Sequence, residues 1–112
     1  LAILSNANHE ILLSAVHAAG LSSLIQNLIS ADTVHHFKTH PSIYDQISKN
    51  LNNQKKEILF VSSNAWDVLS ASWLGYDTFW INRRDDPLET IGPPPTYIGS
   101  KLDDVVNFIE NE

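Results

Sequence analysis

The chain has 112 residues, 43% of them hydrophobic and 18% charged, and 7 Lys+Arg against 13 Asp+Glu give a formal net charge of -6. This is a globular composition for one domain at most, and its acidic balance argues against nucleic acid, whose binding needs a dense basic surface. The absence of cysteine excludes a disulfide framework, a Cys-based zinc site and a thiol nucleophile, no apolar run approaches the roughly 20 residues of a membrane span, and no basic n-region precedes an apolar stretch in the manner of a signal peptide.

Methionine is absent, and the chain opens on Leu1-Ala2-Ile3-Leu4. An apolar opening without a polar lead-in is expected of a piece of a longer protein. Residues 1–4 read as a parallel strand buried on both faces. Ser5-Asn6-Ala7-Asn8 breaks the run, and Asn8 suits a helix N-cap. Ile11, Leu12, Ala15, Val16 and Ala19 recur at helical spacing, and Gly20 supplies the stop. Residues 21–26 predict a short helical turn and residues 28–30 a brief strand.

Residues 31–40 lack a period and read as a loop. Pro41 suits a first helical position, where its missing N–H would have no partner anyway. Ile43, Ile47 and Leu51 then form an apolar stripe, and residues 50–56 a polar connector. Ile58-Leu59-Phe60-Val61 is the strongest strand, again apolar on both faces. Ser62-Ser63-Asn64 follows it, then a helix to about Leu74 with Val68, Leu69 and Ser72 on one side and Gly75 at its end. Residues 78–81 predict the next strand. The stretch 82–96 carries Pro87, Pro93, Pro94 and Pro95 without periodicity, as a long surface loop does. Tyr97-Ile98 suits a short edge strand, and Leu102, Val105, Val106 and Ile109 a closing amphipathic helix. Strands alternating with helices imply βαβ units and right-handed crossovers.

In open α/β sheets, ligands bind beyond the carboxyl ends of the strands. That rule selects Ser5-Asn6, the loop after Ser30, Ser62-Ser63-Asn64 and Asn82-Arg83. The first and third are strand, hydroxyl, amide junctions at the mouth of a helix, where free backbone N–H groups suit a small anion. Turn and capping chemistry accounts for either junction taken alone; their repetition favours a site. Asp67, three residues past Asn64, is a candidate general base or metal ligand, or simply a carboxylate complementing the helix dipole. Lys38 can hold a carboxylate as a fixed cation, although most lysines are solvated surface residues. The Tyr44 hydroxyl, in the first turn after Pro41, can reach the same cleft, or Tyr44 is an ordinary half-buried aromatic. His35, His36 and His40 are the densest histidine cluster. Asp32 is the only carboxylate candidate to complete a ligand set, which argues against a metal.

Together these pieces resemble the haloacid dehalogenase superfamily, and within it the type II (S)-2-haloacid dehalogenases. The strings are Leu4-Ser5-Asn6, then Phe37-Lys38-Thr39-His40-Pro41-Ser42-Ile43-Tyr44, then Phe60-Val61-Ser62-Ser63-Asn64-Ala65-Trp66-Asp67, with Phe79-Trp80-Ile81-Asn82-Arg83 as the last core strand. Thr39 stands where the family usually has proline. The resemblance implies a three-layer, Rossmann-like parallel sheet with helices on both faces. Residues 1–112 would be the C-terminal part of a single core domain, incomplete because the nucleophile strand and cap lie upstream. In the sheet so implied, that absent strand lies between the strand ending at Ser5 and the one ending at Val61.

By the same resemblance, the full enzyme hydrolyses small (S)-2-haloacids to (R)-2-hydroxyacids through an ester on an upstream aspartate. Ser5 and Asn6 would bind the substrate carboxylate, Lys38 would neutralise and orient the nucleophile, and Tyr44 would brace that network. Ser62 and Asn64 would position the nucleophile and the water, and Asp67 would activate that water or pair with Lys38. The resemblance implies no metal, no other cofactor and no membrane or nucleic-acid partner. It implies a small-molecule substrate, a homodimer as the full-length protein and a cytoplasmic location. The nearest rival is a magnesium-dependent phosphatase of the same superfamily, whose Gly-Asp-x-x-x-Asp motif supplies acidic ligands. Here only Asp67 is acidic in the corresponding stretch 62–67. A second rival is a non-catalytic fragment that needs the missing part.

Overall fold

The computed structural model describes residues 1–112. The chain divides into two compact units, Leu1–Asn53 and Gln54–Glu112. The first holds β1 (Ala2–Ser5), α1 (His9–Ala18), β2 (Asn27–Ser30), a 3-10 turn (Ala31–Thr33) and α2 (Pro41–Leu51). The second holds a 3-10 turn (Lys55–Glu57), β3 (Leu59–Ser62), α3 (Ala65–Trp73), β4 (Asp77–Ile81), β5 (Tyr97–Gly99) and α4 (Leu102–Glu110).

In the first unit β1 and β2 pair in parallel, from Ala2 opposite Asn27 to Ser5 opposite Ser30. Helix α1 makes the crossover. Asn8 caps it as expected, its Oδ1 accepting from the Ile11 N–H at 2.9 Å, and Leu12 and Val16 are its buried positions. Gly20 follows in the left-handed region, φ 70°, and its N–H donates to the His17 carbonyl. Residues 21–25 make one hydrogen-bonded turn closed by Leu24 and Ile25 N–H on the Leu21 carbonyl. Pro41 occupies the first turn of α2, and Ile43, Tyr44 and Ile47 are buried along it. Tyr44 is fully buried, deeper than an ordinary half-buried aromatic.

In the second unit the sheet order is β3-β4-β5, all parallel. Phe79, Ile81 and Val105 form its core, with Leu59, Val61, Tyr97 and Phe108 packed against them. Helix α3 ends at Trp73, and Lys55 Nζ donates to the Leu74 carbonyl at 2.7 Å, satisfying an orphan acceptor of the helix terminus. Thr78 is fully buried. Its N–H donates to Thr96 Oγ1 at 3.0 Å and its Oγ1 accepts from the Thr96 N–H at 3.1 Å, which ties the long 82–96 loop back to β4.

Element bounds differ from the sequence reading in places. Strands β1 and β3 run one residue later than the apolar runs, to Ser5 and Ser62. Pairing with Ser30 and Trp80 carries the ladder through the polar residue, so composition placed the end one residue early. The 31–40 stretch contains a 3-10 turn because Ser30 Oγ accepts from the Asp32 N–H at 3.2 Å. The polar connector holds the other one, closed by the Glu57 N–H on the Gln54 carbonyl at 2.9 Å.

Candidate active site at the strand ends

Strands β1, β2 and β3 end alike. Each finishes on a serine whose Oγ accepts a hydrogen bond from the N–H two residues on: Ala7 to Ser5 at 3.0 Å, Asp32 to Ser30 at 3.2 Å, Asn64 to Ser62 at 3.2 Å. This turn redirects the chain off the sheet without stranding a backbone donor. Ser30 also donates its hydroxyl to the Ala7 carbonyl at 2.7 Å, so it stitches the loops after β1 and β2 together. Sequence reasoning stopped at the loop after Ser30 and did not select the serine itself. The signal was available as Ser30-Ala31-Asp32, a serine with an acidic residue two places on at a strand end.

Within the first unit the structure brings Asn6 and Lys38 together. Asn6 Oδ1 accepts from the Lys38 N–H at 2.8 Å across 32 residues of chain. The loop carrying the lysine is thus pinned to the end of β1. Lys38 is half-buried, and the peptide between Lys38 and Thr39 is cis. His40 occupies the N-cap of α2, with Nδ1 accepting from the Ser42 N–H at 3.2 Å. The rings of His36 and His40 stack at 3.8 Å with 6° between their planes. Parallel stacked rings do not aim two nitrogens at one centre, and no group of three or more His, Asp and Glu side chains is placed to hold an ion. Tyr44 lies in the first turn of α2 in the same unit.

Within the second unit Ser62, Asn64 and Asp67 share the β3–α3 junction. Asn64 sits at the N-cap position of α3, but its side chain makes no capping bond. Its backbone N–H is spent on Ser62 instead. Asp67 occupies the first turn of α3 and is only 3% exposed. A carboxylate at that position complements the free N–H groups of a helix N-terminus. Trp80 on β4 donates Nε1–H to the Ser63 carbonyl at 3.4 Å, a long bond that braces the same junction.

Parallel strands joined by helices, with serine, amide, lysine and carboxylate at their carboxyl ends, make an α/β core with polar strand ends. The family model for haloacid dehalogenase-like hydrolases matches residues 1–75, and the chain belongs to that family. It is 38% identical over 109 residues to an (S)-2-haloacid dehalogenase of Pseudomonas sp. (strain CBS-3), covering 97% of this chain and 48% of that protein. Haloacetate dehalogenase H-2 of Moraxella sp. (strain B) is 37% identical over 97% of this chain and 49% of its own length. The crystal structure of the L-2-haloacid dehalogenase RSc1362 superposes with a TM-score of 0.95 at 40% identity, over 98% of this chain and 48% of that one. That of the L-2-haloacid dehalogenase from Xanthobacter autotrophicus gives 0.92 at 27% identity, over 97% and 54%. The chain therefore spans about half the length of the relatives it matches. No helix is long and apolar enough to cross a membrane.

Proposed function

We propose that this chain is the C-terminal part of a single core domain in a cytoplasmic, homodimeric 2-haloacid dehalogenase. The observation that carries the reading is the 38% identity to an (S)-2-haloacid dehalogenase over 97% of this chain. In this reading a carboxylate supplied from outside these residues attacks C2 of an (S)-2-haloacid. The carbon–halogen bond breaks, halide leaves with inversion, and an ester forms. Water then attacks the ester carbonyl, which frees the (R)-2-hydroxyacid and restores the carboxylate. Splitting one hard displacement into two steps is covalent catalysis by a carboxylate.

The residues here serve that sequence. The Asn6–Lys38 hydrogen bond supports Lys38 as the cation that neutralises and orients the nucleophile, with Tyr44 bracing it. The same bond consumes the acceptor end of the Asn6 amide, which leaves its NH2 to donate to the substrate carboxylate beside the Ser5 hydroxyl. Ser62 and Asn64 position the nucleophile and water, and Asp67 activates that water or pairs with Lys38. The reading names no cofactor.

The test is halide release from each enantiomer of 2-chloropropionate by the full-length protein, with and without EDTA, beside a phosphate-ester assay. EDTA-insensitive halide release from the (S) form is the expected result. Magnesium-dependent phosphate release without halide would replace this reading with a phosphatase.

A further inference from the structure

We propose that an open groove in the second unit, at the carboxyl ends of β4 and β5, binds a small organic ammonium group. The inference does not depend on the dehalogenase reading. The groove is open to solvent and spans about 730 Å³. Its walls divide by chemistry. Phe79, Tyr97 and Phe108 supply aromatic surface, and Asp85, Asp104 and Asn107 supply oxygen acceptors. No Lys, Arg or His lines it.

The three rings touch one another, with Tyr97 and Phe108 centroids 4.1 Å apart and Phe79 6.2 and 6.0 Å from them. Gly99 shows how closely the two kinds of wall approach. A Cβ built on it would lie 2.8 Å from a Phe79 ring carbon and 3.0 Å from Asp104 Oδ2. Ring and carboxylate thus flank Gly99 too closely to admit a Cβ, and the aromatic and acidic walls adjoin there. The Asp104 carboxyl is held below its ordinary range, chiefly by the Ser100 backbone N–H, so it is ionised at neutral pH. The hydrogen bonds from Ser100 N–H, Ser100 Oγ–H and Lys101 N–H all fall on Oδ2, and Oδ1 is left for a ligand.

Aromatic and carboxylate walls, with Lys101 acting on Asp104 only from outside the lining, select against anions and favour a cation with apolar surface. A bare metal ion gains little from the rings and lacks a third protein carboxylate or imidazole here. An alkylammonium satisfies both walls, through cation–π attraction and charge-assisted hydrogen bonding or contact.

The experiment follows amide shifts of Gly99, Ser100 and Asn107 by NMR in the full-length protein at fixed ionic strength. Probes are tetramethylammonium, n-butylammonium, sodium, and 3,3-dimethylbutanol as a neutral apolar control. Saturable shifts with the two ammonium probes alone are expected. Asp85→Asn removes charge at a left-handed position (φ 54°) that asparagine tolerates, and should weaken ammonium binding about fivefold, the effect of one nearby solvated charge. Equal shifts with sodium would reduce the groove to general screening. Equal binding of the alcohol would make it an apolar groove only, and absence of saturable shifts would end the proposal.

Discussion

Asn6 shows how much one side chain settles. Its Oδ1 holds the Lys38 N–H at 2.8 Å, so loss of the acceptor frees the lysine loop, while loss of the NH2 removes only a donor. Asn6→Asp keeps an acceptor and adds a negative charge where a substrate carboxylate is proposed. It should raise KM more than it lowers Tm, whereas Asn6→Ala should also cost about 1 kcal/mol for the lost bond; equal KM in the two variants would detach Asn6 from the substrate. Lys38 is half-buried rather than part of the packed interior, so Lys38→Ala should lower turnover roughly 10²–10³-fold with little change in Tm. Lys38→Arg should rescue poorly, because a planar fork does not replace a point charge. Near-normal turnover in Lys38→Ala would return the lysine to ordinary surface. Asp67 is different, being 3% exposed at a helix N-terminus. If it activates water, Asp67→Asn should accumulate the ester adduct, seen as added mass on the protein after mixing with 2-chloropropionate. Lost activity without an adduct would place Asp67 before ester formation, acting through Lys38.

At the scale of elements, periodicity and capping chemistry made most of the fold legible. Asn8, Pro41 and the 3.6-residue stripes placed α1, α2 and α4 within a residue or two, because those signals are local. Strand ends were less legible, since Ser5 and Ser62 join the ladder only through partners 25 and 18 residues away in register. The candidate site was readable as residue types at strand ends. The Asn6–Lys38 bond, the Ser30 stitch and the uncapped side chain of Asn64 were not, because each depends on tertiary approach. Helix α4 carries the clearest titration effect. Asp104 accepts from the Ser100 N–H at 2.8 Å and the Lys101 N–H at 3.1 Å, and its carboxyl is lowered from 3.8, first by Ser100. A depressed carboxyl stabilises the folded state above its unfolded value and loses that contribution as pH falls through the folded one. Tm of the full-length protein should therefore exceed that of Asp104→Asn at pH 7, and the gap should begin to narrow only as pH falls below about 3.8, the ordinary carboxyl value. A difference that does not change with pH under acid conditions would mean the charge is irrelevant to the cap.

For the whole molecule, the informative conflict is between the composition of β1 and β3 and their surroundings. Both read as interior parallel strands, apolar on both faces, the kind found only where helices and neighbours cover them. Yet β1 pairs only with β2, and β3 only with β4. Ile3, Leu4, Leu59 and Val61 are left half-buried, and of the two strands' residues only Phe60 on β3 reaches the interior. Each strand thus has one edge without a partner, in the flat apolar composition most prone to pairing with another chain. Covering such an edge without hydrogen bonds costs about 1–3 kcal/mol per group, against a total stability of about 5–15 kcal/mol for an ordinary domain. Leaving it open invites association. Large apolar side chains elsewhere are also exposed, among them Ile11, Leu13, Trp73 and Ile109 at 59, 51, 66 and 60%. Residues 1–112 expressed alone should therefore be unstable as a monomer, aggregating or binding hydrophobic dye at micromolar concentration. A longer polypeptide that contributes further strand to these edges should unfold cooperatively. Sedimentation of residues 1–112 as a monomer, with a sharp thermal transition and no dye binding, would show that the two open edges are tolerated and that the half-buried strands need no further partner.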